Sequence, residues 1–319
     1  METMFLHEDD DPVDIRRDNV FKAVFTKETP EARGALSKLV SALIGRDVSI
    51  LSILANEPPV NNMRERQIRF DINCRAENGE LIAIEMSFNP QSFETVRLEY
   101  YTTKLFSGQD IKGIGRDYKD LKQAYQIAIL AKEQLIGDDE FFHTFEYYDQ
   151  FRRVSLNGRS RIITLELSKL EKISKKPASL MSLPELWAYY FEYLTDKDKR
   201  SKINEIVEQE EGIAMASQVL MTISRDEEER ARIMRDEKIE LDYQSAMTQY
   251  MRMGHAEGLE KGLEKGHAEG LAKGHAEGLE KGHAEGIKIG EKRILDLLKS
   301  GKSREEIIAE FEREDRKSV

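Results

Sequence analysis

Residues 67–87 read Q-I-R-F-D-I-N-C-R-A-E-N-G-E-L-I-A-I-E-M-S, two alternating segments around a Glu77-Asn78-Gly79 turn. That is the pattern of a β-hairpin. Side chains alternate across a strand, so Ile68, Phe70, Ile72 and Cys74 share one face of the first strand and Arg69, Asp71 and Asn73 the other. On the second strand Ile82, Ile84, Met86 and Phe88 make the apolar face, opposite Ala83, Glu85 and Ser87. A one-residue slip would turn one apolar set to the wrong side. A two-residue Asn-Gly loop would set Asp71 against Met86 and fails this test. A three-residue loop with Gly79 left-handed pairs Ala76 with Glu80, and Asp71 then faces Glu85.

Directly opposed residues on an antiparallel pair have Cβ atoms ~5 Å apart, where like charges destabilise the sheet. Two arrangements would relieve the repulsion. A hard divalent cation can take both carboxylates and complete its shell with water and phosphate oxygens, as Mg²⁺ does. Alternatively the acids lie on a solvated sheet face and are neutralised by Arg69, Arg75 or another nearby cation.

The chain has 319 residues, enough for one sizeable α/β domain plus further modules. Its single cysteine, Cys74, excludes an internal disulfide framework and reads as a small buried hydrophobe in a reducing compartment. No apolar run approaches the ~20 residues that span a membrane, and the acidic N-terminus does not read as a signal peptide. The expectation is a cytoplasmic protein with no membrane partner.

The net charge of -11 divides into about -5 before residue 170 and about -6 after it. Phosphate contacts must therefore be local rather than a global field. Arg64, Arg66 and Arg69, and Arg152, Arg153, Arg159 and Arg161, are candidate clusters or simply solvated edges.

In chain order, residues 1–13 form an acidic segment expected to be disordered. A helix follows over Asp14 to Thr26, with Phe21 and Phe25 four apart, and another from Pro30 to Ile44 with Gly45 as its stop. Val48 to Glu57 reads as a strand ended by Pro58-Pro59. After the hairpin, Pro90 to Ser107 is helical, with Phe93, Arg97, Tyr100, Tyr101 and Lys104 largely along one face, until Gly108, Gly113 and Gly115 break the pattern. Adjacent Tyr100 and Tyr101 cannot share a direction, so at least one packs on the sheet. Tyr125 to Leu130 reads as a buried strand, followed by strands at Phe141 to Tyr148 and Arg159 to Leu167. This is an α/β order with a mixed sheet.

The combination Asp18-x-x-Phe21-Lys22-x-x-Phe25, Asp71, Glu85-x-Ser87, Arg97-x-x-Tyr100-Tyr101-x-x-Lys104, Gln109, Tyr118, Tyr125 and Glu166-Leu167-Ser168-Lys169 resembles the recombination-promoting nuclease (Rpn), or transposase, family of the PD-(D/E)xK nuclease superfamily, over about residues 14 to 250. The resemblance implies a restriction-endonuclease-like core, a central mixed β-sheet flanked by helices. It implies Mg²⁺-dependent cleavage of DNA phosphodiesters, with Mn²⁺ as a substitute, in recombination, mobile-element biology or defence. Carried over by position, Asp71 and Glu85 are the metal ligands. The superfamily's third position is Lys, commonly Gln in this family, and here it is Ser87. A hydroxyl can position water but cannot stabilise negative charge as an ammonium can. Lys104 is then the candidate for the cationic role, ahead of Lys22. Asp18, Lys22, Arg97 and Tyr101 are candidate substrate contacts. The alternative function is a catalytically weakened DNA-binding or oligomerising relative.

The expected organisation is an acidic N-terminus at 1–13, a nuclease-like core at 14–170, a helical extension at 171–253, a repeat at 254–290 and a helical hairpin at 291–319. In the extension Trp187, Tyr190, Phe191 and Leu194 form an apolar stripe after Pro184. In the repeat glycine recurs at every fourth residue, ten times from Gly254 to Gly290. Glu257 precedes Lys261, Glu269 precedes Lys273 and Glu277 precedes Lys281 by four. Each such pair contributes ~0.3 kcal/mol to a helix, whereas each glycine costs ~1 kcal/mol. An isolated helix is therefore marginal. If helical, the glycine stripe with Leu259, Leu263, Leu271, Leu279 and Ile287 alongside suits self-association into a homo-oligomer; the other reading is a flexible linker. The histidines of the repeat are too widely spaced to share a metal. Ser303 and Glu306 form a capping box for a last short helix.

Overall fold

The computed structural model describes residues 5–57, 68–88, 94–109, 117–132, 134–156 and 158–315. The expectations placed on Pro58-Pro59, Arg64, Arg66, Gln67, Pro90, Phe93, Gly113 and Gly115 lie outside these residues. The chain divides into two compact units, 1–239 and 240–319.

In the first unit, α1 (Asp18–Thr26) and α2 (Pro30–Ile44) precede the sheet. Pro30 opens α2 with Thr29 as its N-cap, and Gly45 ends it at φ 80°, a left-handed position suited to glycine. The strands are β1 (Ile50–Ile53), β2 (Ile72–Ala76), β3 (Leu81–Ser87), β4 (Ala124–Leu130), β5 (Phe142–Phe145) and β6 (Ser160–Glu166), with α3 (Glu94–Ser107) between β3 and β4. They form one mixed sheet in the order β1-β2-β3-β4-β6-β5. Strands β3, β4 and β6 are parallel; β1, β2 and β5 pair antiparallel.

The hairpin has the expected register: Ile72 pairs with Ile84 and Cys74 with Ile82. The Ala76 N–H donates to Glu80 O at 2.9 Å, and Gly79 closes the loop at φ 88°. Continuing the register by one residue sets Asp71 across from Glu85. The alternation does not extend back past this point. The chain bends at Asp71, and Ile68 and Phe70 join Leu81, Ala83, Leu105 and Ala124 on the side of α3. Ile72 and Cys74 face the main core instead. The bend lets both sets be buried, which one continuous strand could not do.

The main core lies between the opposite sheet face and a helical layer that draws on distant parts of the chain. Phe21 and Phe25, their ring centroids 4.8 Å apart, meet Trp187 and Phe191. The short α4 (Glu171–Ser174) leads to α5 (Leu183–Tyr193), α6 (Arg200–Gln209) and α7 (Glu211–Arg225). Their apolar faces share one core with α1, α2 and the sheet. The residues read as a helical extension beyond 170 thus complete the hydrophobic layer over the sheet.

Residues 5–13 depart from the expectation of disorder. Leu6 and Val13 are buried. Leu6 exchanges two backbone hydrogen bonds with the Asn204 amide, 2.9 and 3.0 Å, and Val13 N donates to Ser224 Oγ. Asp10 and Asp11 pair with Arg225 and Arg230 at 2.9 and 2.6 Å. Acidity here matches a basic surface on α7 and the start of the next helix, and the apolar residues between the acids anchor the segment.

Helix α8 (Glu227–Lys299) runs without interruption through all ten repeat glycines. In the second unit, each of those glycines has open space where a Cβ would stand, and Leu259, Leu263, Leu271, Leu279 and Ile287 are exposed. Lys261 pairs with Glu257 at 2.6 Å as expected. Lys265–Glu269 and Lys273–Glu277, at 3.8 and 3.9 Å, have the less favourable order. Gly301 (φ 84°) ends the helix, and α9 (Arg304–Asp315) starts from the Ser303–Glu306 cap.

Candidate active site

The carboxyl end of β3 gathers the functional side chains. Asp71, at the bend before β2, accepts the Met86 N–H on Oδ2 at 2.9 Å and the Lys22 ammonium on Oδ1 at 2.9 Å. Lys22 comes from α1, where it also approaches Asp18 at 3.4 Å. Burial acts to lower the Lys22 pKa, but the adjacent Asp71 and then Asp18 outweigh it, so the ammonium stays charged beyond its ordinary range. Glu85 is 2% exposed. Its Oε2 pairs with Arg97 of α3, which also holds Glu94 at 3.1 Å, while its Oε1 is buried without a hydrogen-bond partner.

The repulsion expected from the facing acids is thus met by Lys22 and Arg97, one from each flanking helical layer. Arg69 and Arg75, the local candidates, do not serve: Arg69 lies 3.8 Å from Glu57 and Arg75 is exposed. Compensation at Glu85 is incomplete. Burial, then the Asp71 charge, with Glu94 adding to them, outweigh Arg97 and raise the Glu85 pKa from 4.5 to about 8.

A carboxyl whose pKa is higher in the folded state binds its proton more tightly there. Its stabilising contribution is complete below about pH 4.5 and is lost as pH rises through about 8. In metal-free buffer Glu85→Gln should therefore gain stability relative to wild type between pH 5 and pH 9, by on the order of 2–4 kcal/mol. Paired thermal melts across that range check this; a constant difference would contradict it.

The other predicted residues are placed as follows. Ser87 ends β3 two residues beyond Glu85, hence on the same face, and is half-buried. Tyr101 packs edge-on against Phe70 at 5.5 Å and lies under the Arg97 guanidinium at 5.0 Å. Tyr100 is exposed, with Lys104 over its ring at 5.6 Å. Lys104 sits seven residues, ~10 Å of helix, beyond Arg97. The structure therefore puts Lys22 and Arg97, not Lys104, on the carboxylates. Asp18 stands at the start of α1, 3.4 Å from Lys22 one turn on.

Three polar residues beside the pair were not singled out from the sequence. Glu94 is 1% exposed and is signalled only by its i,i+3 spacing to Arg97. Gln126 and Thr164 lie on the α3 side of β4 and β6, and Gln126 Nε2 and Oε1 and Thr164 Oγ1 are buried without partners. Gln126 interrupts the apolar run Tyr125 to Leu130, and a polar residue inside such a run is the signal.

Among the described residues no group of three or more His, Cys, Asp or Glu is placed to hold a metal. A cation here would take two carboxylates and draw its other ligands from backbone, water or phosphate. The donors fit a hard divalent ion: both are oxygens, and Glu85 Oε1 is buried without a partner. Cys74 is no competitor, since burial pushes its thiol up to about 12.

A family model described as PD-(D/E)XK nuclease family transposase matches residues 15–250. No curated protein and no solved structure matches the chain. PD-(D/E)XK nucleases typically use divalent metals. No helix among the described residues is long and apolar enough to cross a membrane.

Proposed function

Since the chain belongs to the PD-(D/E)XK nuclease transposase family, we propose that it is a Mg²⁺-dependent DNA endonuclease of the Rpn type, acting in recombination, mobile-element biology or defence. The observation that carries this is the Asp71–Glu85 pair at the carboxyl end of β3, with Lys22 on Asp71. Asp71 and Glu85 would hold the ion, whose chemistry would be to polarise the scissile phosphate and lower the pKa of a water.

The remaining work falls to side chains already in place. The Met86 N–H and Lys22 fix Asp71 in orientation. Arg97 fixes Glu85 through Oε2 and leaves Oε1 for the ion. The Lys22 ammonium, beside Asp71, would supply the positive charge that Ser87 cannot. Ser87 offers a hydroxyl that can orient water.

A catalytically weakened relative is the second reading. It is favoured by the same geometry, because Lys22 already pairs with Asp71 and Arg97 with Glu85, the two acids that would hold the ion. Plasmid DNA incubated with Mg²⁺ or Mn²⁺ separates the two. Cleavage that is lost in Asp71→Ala supports the nuclease. Cleavage that persists in the mutant rejects the site, and no cleavage by wild type supports the second reading.

The open space at the repeat glycines and the exposed leucines of α8 also support self-association through a second copy. On the same preparations, light scattering should give a larger mass for the full chain than for protein truncated at Gly254. Two monomeric masses reject that part.

A further inference from the structure

The chain between β5 and β6 forms a hairpin arm that the carboxylate pair does not use. Leu156 N–H donates to Tyr147 O at 2.9 Å, Asp149 N–H donates to Val154 O at 2.8 Å, and Tyr148 bridges Ser155 antiparallel. Asp149 caps the tip. Its Oδ1 accepts the Phe151 and Arg152 N–H groups at 3.1 and 2.5 Å, and its carbonyl accepts the Arg153 N–H at 2.9 Å. Among the described residues Arg153 is the one non-glycine with a left-handed φ, 52°, a conformation uncommon for residues other than Asn, Asp and His.

At this tip Phe151 is 84% exposed, and Tyr147, Tyr148, Val154 and Leu156 are exposed along the arm. Large apolar side chains gathered on one exposed element mark an interaction surface. Charge complementarity selects the partner. From residue 149 to residue 159 the arm carries Arg152, Arg153 and Arg159 against the single acid Asp149, in a chain of net charge -11. Arg152 lies 3.6 Å from Asp149 and stays exposed, while Arg159 donates to the uncharged Leu121 O. Arg161, the fourth arginine of the cluster, is paired with Glu146 at 2.8 Å and faces no partner outside the chain.

The sheet register places the arm relative to the carboxylates. Glu85, Ala128, Thr164 and His143 lie in one row across β3, β4, β6 and β5. From that row the arm runs toward the amino ends of the parallel strands, away from Asp71. Strand rise and strand spacing put Asp149 about 25 Å from Glu85, the rise of about seven base pairs of duplex. A two-stranded ribbon is one of the elements that the major groove of B-DNA admits.

We propose that the 146–156 arm is a second contact with duplex DNA, entering the major groove some distance along the duplex from the phosphate at Asp71 and Glu85. Arg152 and Arg153 take backbone phosphates and Phe151 packs against the base edges. The assignment rests on the nuclease reading for its ligand, but it concerns binding rather than cleavage. The Asp149 cap holds the tip in advance, which lowers the entropy lost on binding.

The test is fluorescence anisotropy of a labelled 20-base-pair duplex with full-length protein in metal-free buffer, titrated over a salt series. The double substitution Arg152→Gln/Arg153→Asn removes both charges, and Asn tolerates the left-handed position. It should weaken binding at least about tenfold and reduce the slope of log K against log salt by about 1.8, the value for two lost phosphate contacts. Phe151→Ser should weaken binding by about tenfold, the cost of losing a partly buried ring, with an unchanged slope. Lys38→Gln/Lys172→Gln, at lysines paired with Glu211 and Asp139 elsewhere, should bind as wild type does. Fluorescence of the single, buried Trp187 verifies the fold of each variant.

An unchanged affinity and slope in the double variant overturns the DNA contact. So does equal weakening in the Lys38/Lys172 control, or no binding by wild type at low salt. A Phe151→Ser protein that binds DNA as wild type does, but scatters light as a smaller particle, also overturns it and makes the arm a contact between copies of the chain. Because no turnover is read, absence of metal-dependent cleavage would count against the nuclease and leave this result standing.

Discussion

Lys22→Met is expected to lower metal-dependent DNA cleavage by about 10²–10³-fold, the usual cost of removing one preorganised group that stabilises transition-state charge. Lys104→Met should leave cleavage within a few-fold of wild type. The contrast follows from geometry: Lys22 Nζ is 2.9 Å from Asp71 Oδ1, whereas Lys104 lies over Tyr100. Lys22→Arg keeps the charge but not the compact ammonium, so it should recover only part of the loss. Single-turnover cleavage with saturating enzyme checks the ranking. Equal loss in Lys22→Met and Lys104→Met, or retention in Lys22→Met, would remove Lys22 from the cationic role.

Lys169→Met should destabilise the first unit by about 3–5 kcal/mol, because breaking a buried ion pair leaves one charge uncompensated. Glu166 is fully buried at the end of β6, where its Oε1 accepts the Leu135 and Ile136 N–H groups at 2.5 and 3.1 Å. The Lys169 side chain is 2% exposed; it pairs with Glu166 and donates to Ile136 O at 2.8 Å. For a unit of this size the cost corresponds to a fall in melting temperature of about 10 °C. Trp187 fluorescence reads this unfolding without interference from the long α8 helix. Adding Glu166→Gln to Lys169→Met should return part of the loss, since the amide retains an acceptor for the loop without a charge to bury. A double variant no better than the single would mean that packing, not the uncompensated charge, sets the cost.

The hairpin was legible because its constraints are local. Alternation, the glycine at the loop's left-handed position and agreement of the apolar faces leave a single register, and that register sets Asp71 opposite Glu85. The reading failed where alternation gives way to a bend: Phe70 and Ile72 are two apart in sequence yet pack in different layers. It failed also at the N-terminus, because Asp10 and Asp11 look like solvated acids until Arg225 and Arg230 are seen beside them.

By itself the sequence determined the α/β class, the hairpin register and the opposed carboxylates, since each follows from periodicity and turn geometry within some twenty residues. Only the tertiary structure decided which cations answer those carboxylates. Lys22 and Arg97 arrive from helices on either side of the hairpin in sequence. Local pattern fixes what a strand presents; which side chains meet it depends on how distant helices bury their apolar faces.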